Sequence, residues 1–288
     1  MLDNPKKTLP SGWNVALREY KGDAIIKVDA HAVIPEDFVS KNVRVLETGE
    51  YICGGQRPNI IDKPTPFKET LLLAESSMFG SSIASYRNNP GKTYVKSLFH
   101  AAYRREVFEK VGFFNEELVR TEDNEIHYRM RKAGYKLCFD PDIISYQYTR
   151  SSITTMLKQK YANGYWIGKT SKVCPKCLSI YHFVPFAFVS AIIASGSVIG
   201  ATGLAECIKK RHNHTLGKGI SALRKVTVVL TTVMWVLYAL MASGMAAVSA
   251  FKAEDKRNIT NACLPVLFLL LHLSYGIGTI AGLMDKSK

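Results

Sequence analysis

Gly22-Asp23-Ala24-Ile25-Ile26-Lys27-Val28-Asp29-Ala30-His31 reads as one buried strand that delivers a carboxylate and an imidazole together at its C-terminal end. The apolar run is short and β-branched, and it is entered through Gly22-Asp23, which favours a strand over a helix. Open α/β sheets place their ligands at the C-terminal ends of strands. One residue of spacing lets Asp29 and His31 leave an extended backbone on the same side. An oxygen and a nitrogen ligand aimed at one point suit a divalent cation that is itself holding phosphates. The tripeptide also fits a strand-end carboxylate that caps the next turn beside a surface histidine, and the residues alone leave both readings open.

Outward from this strand the chain alternates helices and strands, the pattern of an α/β domain. Asn14 to Tyr20 predicts a short helix, and Pro35 opens another that reaches about Glu47. Tyr51-Ile52-Cys53 predicts a strand ending at Gly54-Gly55, a pair that lets the backbone turn or approach a ligand closely. From Pro66 to Phe79 the pattern is helical, with Leu71, Leu72, Leu73 and Met78 giving a broad apolar side. Tyr86 to Tyr94 predicts a surface loop. Arg104 to Gly112 predicts a helix closed by its glycine. Thr121 is placed to cap a helix that runs over Asn124 to Ala133 and closes at Gly134. Glu122 and Asp123 complement the dipole of that helix, a role that would by itself account for them. Tyr135 to Phe139 then predicts a strand.

The 288 residues allow about two domains. Residues 1–176 have mixed composition, whereas 177–288 hold three stretches free of Asp, Glu, Lys and Arg: 183–205, 226–251 and 262–284. At about 1.5 Å per residue each is long enough to cross a hydrocarbon core of roughly 30 Å. The polar opening, Met1 to Lys21, is unlike a secretory signal, which predicts a cytoplasmic location for the soluble part of a multi-pass membrane protein. A formal net charge of +14 raises nucleic acid as a partner. Much of the excess sits beside the apolar stretches, in Lys209, Lys210, Arg211, Lys218, Arg224 and Lys225 against Glu206, which points to anionic lipid on the cytoplasmic side and away from nucleic acid. To keep that loop inside, residues 183–205 are expected to bend at Ser195-Gly196-Ser197 and return as a re-entrant or interfacial hairpin, leaving 252–258 outside. Cys174-Pro175-Lys176-Cys177 with His182 has the spacing of half a zinc knuckle, but no second cysteine pair exists. Six scattered cysteines fit free thiols in a reducing compartment.

Taken together, these pieces resemble the inverting glycosyltransferases of family 2, especially the membrane-anchored, succinoglycan-type branch that builds bacterial exopolysaccharide and capsule. The matching text is Asp3-Asn4-Pro5 with Asn14, Gly22 to His31, Gly54-Gly55, Tyr103-Arg104-Arg105 with Val111-Gly112, Glu122-Asp123-Asn124-Glu125, Gly134-Tyr135-Lys136-Leu137, and His272-Leu273-Ser274-Tyr275-Gly276. The resemblance implies a partial glycosyltransferase A-type, Rossmann-like domain followed by C-terminal transmembrane helices. It implies that Asp29 and His31 stand at the Asp-X-Asp position, where Mg²⁺ or Mn²⁺ bridges the diphosphate of a nucleotide sugar, a UDP-sugar foremost, with Gly54 and Gly55 also on the donor side. Asp123 matches the base that takes the proton of the acceptor hydroxyl, and Glu122 orients its neighbour or the acceptor. Arg104, Arg105, Gln159 and Trp166 fall to the acceptor or the membrane interface.

Processive members of the family carry Gln-X-X-Arg-Trp. Here Gln159-Lys160-Tyr161-Ala162-Asn163 keeps the glutamine without the Arg-Trp pair, which implies transfer of a single sugar; the stretch also fits an amphipathic helix resting on the bilayer. The family's first two βα units, roughly 60 residues at about 30 per unit, have no counterpart, so a truncated gene product or a separate polypeptide supplying the nucleotide-binding half is expected. The function implied is metal-dependent, inverting sugar transfer to a lipid-linked saccharide at the cytoplasmic face, in surface polysaccharide synthesis. A catalytically inactive membrane remnant or scaffold is the alternative, and metal-dependent donor binding separates the two. A small transporter would want ionisable residues in the apolar stretches, where only His272 qualifies, and His272 is expected to bond a neighbouring helix.

Overall fold

The computed structural model describes residues 2–80, 91–211, 217–253 and 258–286. In chain order its elements are α1 (Leu9–Glu19), β1 (Ala24–Lys27), β2 (Ala32–Val33), α2 (Phe38–Glu47), β3 (Ile52–Gln56), β4 (Asn59–Ile60), α3 (Pro66–Ser76), β5 (Thr93–Val95), β6 (Ala101–Arg104), α4 (Arg105–Val111), α5 (Glu122–Lys132), β7 (Leu137–Ile144), β8 (Tyr146–Tyr148), α6 (Ile153–Val173), α7 (Val184–Arg211), α8 (Lys218–Lys252) and α9 (Leu264–Met284). Five strands form a mixed sheet in the order β1-β6-β3-β7-β5, parallel between β3 and β7 and antiparallel elsewhere. A small second sheet, β2-β8-β4, lies beyond the end of β1.

Strand alternation sorts the core onto the two faces of the larger sheet. Ile52, Tyr103, Leu137 and Phe139 join Val107, Phe108, Ile126 and Met130 of α4 and α5. Their chain neighbours Cys53, Ala102 and Cys138 join Phe38, Val45 and Leu46 of α2 on the other face. Each large side chain so buried contributes about 1.5–3 kcal/mol relative to exposure. Expected as a buried strand, β1 is an edge strand that pairs with β6 alone among the described residues, and only its Lys27 is fully buried. Its side chains still follow the two-residue period: Ile25 packs on the α4–α5 side, while Ala24, Ile26 and Val28 pack on the α2 side. The expected loop at 86–94 lies mostly outside the described residues, and Thr93 and Tyr94 belong to β5.

Three helical stretches, Ile180–Arg211, Lys218–Lys252 and Ile259–Met284, are long and apolar enough to cross a membrane. The bend expected at Ser195-Gly196-Ser197 is absent. Helix α7 runs unbroken over 28 residues, about 42 Å at ~1.5 Å per residue. Glycine weakens a helix through its backbone entropy and by exposing the backbone to competing water, and an apolar surrounding would remove the second of these.

The three stretches are not equivalent. In the most apolar part of the first two only 6% of residues are buried by protein, against 39% in the third. The protein that covers α9 comes from both halves of the chain: Leu71 and Ala74 of α3, Met156 of α6, and Ala242 and Ala246 of α8 pack with Leu264, Leu267, Phe268 and Leu271. Further along, α6 and α9 approach backbone to backbone. A Cβ on Gly164 or Gly168 would overlap carbonyls of α9, and one on Gly278 or Gly282 would overlap carbonyls of α6. Small residues four apart on both helices permit this contact. His272 bridges two elements, with Nδ1 2.9 Å from the Tyr238 hydroxyl of α8 and Nε2 2.7 Å from the Phe79 carbonyl.

Candidate active site

The site gathers where β1 runs out. Residues after Lys27 leave the strand, and a turn closed by the Ala32 N–H on the Asp29 carbonyl (3.0 Å) leads into β2. Asp29 keeps 13% of its side chain exposed. It faces His100, which precedes β6 and is placed there because Ala101 pairs with Lys27 across the sheet. His100 Nε2 lies 3.8 Å from Asp29 Oδ2, and its Nδ1 lies 2.8 Å from the Ser145 hydroxyl. Burial works against the Asp29 carboxylate, but His100 and Lys27 outweigh it and hold its pKa below the usual value.

Past the turn His31 still acts on Asp29, as the last of the influences that lower its pKa. His31 is exposed, and its Nε2 sits 2.9 Å from the Gln147 amide nitrogen. The extended geometry that would aim it beside Asp29 ends two residues too early. The imidazole brought to the Asp29 carboxylate oxygen is that of His100.

On the other side of the cluster stands the head of α5. The Lys27 ammonium is buried, lies 3.3 Å from Glu122 Oε1, and pairs closely with Asp123 Oδ1. Trp13 and Phe114 flank it, with ring centres at 5.6 and 5.9 Å. Asn14 fixes that wall by accepting from the Phe114 N–H (2.8 Å) and donating to the Phe114 carbonyl (3.0 Å). Burial would lower the Lys27 pKa, but Asp123 and Glu122 reverse the effect and the lysine stays charged.

One ammonium cannot neutralise two carboxylates. Glu122, 3% exposed at its side chain, is pushed up to about 7 by burial and by the Asp123 charge, with Lys27 opposing. Asp123 is also raised, by burial first and with Asp29 adding to it, against the pull of Lys27. Its side chain is 18% exposed, so Asp123 is the acid open to the outside and Glu122 is the acid behind it. Thr121, expected to cap α5 with its side chain, makes no such bond, and its hydroxyl meets Thr170 of α6 instead.

Beneath the site a neutral layer supports α5. Tyr103 OH lies 2.8 Å from His127 Nε2, and Ser97 Oγ lies 3.0 Å from His127 Nδ1. Burial lowers the His127 pKa to about 3, which keeps the ring uncharged under the acids.

The remaining residues singled out from sequence lie elsewhere. Gly54 and Gly55 are inside β3, and the close approach they permit is to the chain's own backbone: a Cβ on Gly54 would overlap the His100 carbonyl, and one on Gly55 the Ile143 and Asp140 carbonyls. Arg104 donates to the Leu46 (2.7 Å) and Glu50 (3.0 Å) carbonyls. Arg105 donates to the Gly22 (2.6 Å) and Tyr20 (3.1 Å) carbonyls. Arg104 pairs with Ala24, at the opposite end of β1 from Asp29, so both guanidinium groups tie loops rather than face the acids.

Gln159 and Trp166 lie on α6, on the side that carries Asn163 and Thr170. Gln159 accepts from Arg150 (3.3 Å), Asn163 from Arg120 (3.4 Å), and Thr170 meets Thr121, so this side faces the soluble part next to the site. Among the described residues no group of three or more His, Cys, Asp or Glu is placed to hold a metal ion. Cys174 and Cys177 are free thiols, and burial followed by its neighbour Cys174 keeps the Cys177 thiol protonated. His182 turns back to Ser179.

Lys27, His100 and the Tyr103–His127 layer are the participants that sequence reasoning missed. Lys27 carried a readable signal. It shares its side of the strand with Ile25, an inward position where a lysine requires an anionic partner.

Compared with known families, residues 24–279 match the family described as Glycosyl transferase family group 2. Among curated relatives, the succinoglycan biosynthesis protein ExoA of Rhizobium meliloti is 27% identical over 168 residues, 57% of this chain and 50% of that protein. The dolichyl N-acetyl-alpha-D-glucosaminyl phosphate 3-beta-D-2,3-diacetamido-2,3-dideoxy-beta-D-glucuronosyltransferase of Methanococcus voltae is 23% identical over 198 residues, 66% of this chain and 60% of its own. The O-antigen chain rhamnosyltransferase RfbN of Salmonella typhimurium is 29% identical over 133 residues, 44% of this chain and 42% of that protein. The chain thus spans about half the length of the curated relatives it matches.

Proposed function

Because the chain belongs to glycosyl transferase family group 2, we propose that it transfers a single sugar, with inversion, from a nucleotide-sugar donor to a lipid-linked saccharide in bacterial surface polysaccharide synthesis. The observation that carries this reading is the meeting of Asp29, at the end of β1, with Asp123, at the head of α5, around the Lys27 ammonium. In the proposed reaction Asp123 accepts the proton of the acceptor hydroxyl while that oxygen bonds to the anomeric carbon and the bond from that carbon to the diphosphate oxygen breaks. A positioned carboxylate contributes about 10²- to 10⁴-fold to such a step, and one with a raised pKa is the better base near neutrality. Lys27 fixes the direction of Asp123, and Glu122 holds the ammonium from behind.

Asp29 suits a hard cation, being an ionised, nearly buried oxygen donor with a bare ring nitrogen beside it. Mg²⁺ or Mn²⁺ held there would neutralise charge on the leaving diphosphate. A lipid-linked acceptor is supported by the position of the site, because Thr121 at the head of α5 is bonded to α6, and α6 lies against α9. UDP is the nucleotide we assign to the donor.

The apolar faces of α7 and α8 support a location in the cell membrane, and we assign the catalytic part to its cytoplasmic side. With α7 unbroken, that assignment puts the tip of the α7–α8 pair outside. Cys207 is exposed near this tip, so a membrane-impermeant maleimide should label it in intact cells; labelling only after lysis would reverse the orientation.

The functional reading is tested by calorimetric titration of the purified chain in detergent with UDP and UDP-sugars, first with Mn²⁺ and then with EDTA. Binding that requires Mn²⁺ is expected. No binding to a folded preparation would return the protein to the role of a non-catalytic membrane scaffold.

A further inference from the structure

We propose that His100, rather than His31, is the imidazole that holds the divalent cation together with Asp29. This rests on the reading of Asp29 as the cation's carboxylate ligand and adds the second protein ligand.

His100 is 3% exposed, and its Nε2 has no hydrogen-bond partner among the described residues. Buried polar atoms are nearly always bonded, so a bare one calls for a missing partner. The atom it faces, Asp29 Oδ2, stands 3.8 Å away, too far for a hydrogen bond. That span is one that two ligands can share across one ion when each lies about 2.0–2.2 Å from it. The other ring nitrogen, Nδ1, is held by Ser145 at 2.8 Å. Such an outer bond fixes the tautomer and orientation of metal-binding histidines, here with Nε2 turned to the carboxylate. His31 also has one ring nitrogen bonded, Nε2 to Gln147 at 2.9 Å, but it is exposed and has no buried bare nitrogen turned to the carboxylate. With no third protein ligand gathered among the described residues, the other coordination positions fall to diphosphate oxygens and water.

The test is Mn²⁺ titration of the full chain in detergent, with and without UDP, followed by pulsed electron paramagnetic resonance of the bound ion to detect coupling to imidazole nitrogen. The wild type should show nitrogen coupling, and His31→Gln should keep it. His100→Gln should lose it and bind Mn²⁺ about tenfold or more weakly. Coupling that survives His100→Gln and disappears in His31→Gln overturns the proposal, as does a wild-type Mn²⁺ signal without nitrogen coupling.

Ser145→Ala keeps the ring but frees it, and should weaken Mn²⁺ binding by a smaller factor; unchanged affinity counts against the proposal even where His100→Gln fails to fold. Asp29→Ala separates the two claims. If it leaves Mn²⁺ binding intact, the reading of the donor site itself fails. If it abolishes binding while His100→Gln does not, His100 alone is excluded.

Discussion

The Lys27 cluster and the α6–α9 contact hold the same molecule together by opposite means. Around Lys27, charges from β1 and α5 are buried together, and their balance is uneven, with one ammonium against Glu122 and Asp123. Between α6 and α9 the crossing points are backbone contacts, with Gly164, Gly168, Gly278 and Gly282 letting two chains touch, and the Lys169–Asp285 pair (3.5 Å) sits beside them. The first arrangement is adjustable, because protons and ligands can change its charge. The second fails at the addition of a methyl group. The proposed function would use both: a reactive centre that responds to its substrate, and a rigid seat for it.

The largest effect should come from the rigid region. Gly278→Leu forces a side chain into the Tyr161 carbonyl, and a loss of about 3 kcal/mol or more, read as a collapse of the melting temperature in detergent, is expected. Gly196→Ala on α7 meets nothing within 4 Å and should change stability by less than about 1 kcal/mol, in the stabilising direction. Equal effects of the two would remove the distinction between α9 and the sparsely covered α7 and α8.

Next is Lys27→Met, which leaves two buried carboxylates without their cation. A loss of up to about 3 kcal/mol is expected, the 18% exposure of Asp123 softening the cost of the broken pair, with much of it restored when Glu122→Gln and Asp123→Asn are added. A single variant as stable as the wild type would show that the acids do not depend on the lysine.

A smaller effect follows from the Glu122 pKa of about 7. The folded state keeps the proton over a range in which the unfolded chain, with a carboxyl near 4.3, has lost it. Stability from this group is therefore complete below about pH 4 and falls as pH rises towards 7, by on the order of 1–3 kcal/mol. Comparing denaturant midpoints of wild type and Glu122→Gln between pH 4.5 and 7.5 should show a steeper decline in the wild type, with Asp123 leaving a residual slope in the variant.

The same comparison explains what was legible in the sequence. The β1 strand, α2, α3, α4 and α5 follow from apolar spacing and from helix ends, signals that are local in the chain. Asp29 could be singled out because it follows such a strand, whereas Asp123 entered through the family resemblance, its place in the first turn of α5 being accounted for by the helix dipole alone. What escaped depends on contacts far apart in sequence. His100 reaches Asp29 only through the β1–β6 pairing, and Lys27 meets Asp123 only once α5 lies over the sheet. The straightness of α7 escaped for another reason, since Ser195-Gly196-Ser197 would loosen a helix in water and does not do so among apolar surroundings. The apolar side of α3 was visible, but its destination against α8 and α9 was not.

The central claim is that Asp123 acts on the acceptor while Asp29 serves the donor. It is tested most directly by Asp123→Asn, measuring sugar transfer and Mn²⁺-dependent UDP binding on the same preparation. Transfer reduced by about 10²-fold or more with binding nearly unchanged is the predicted result. Equal loss of both, or transfer at the wild-type rate, would contradict it.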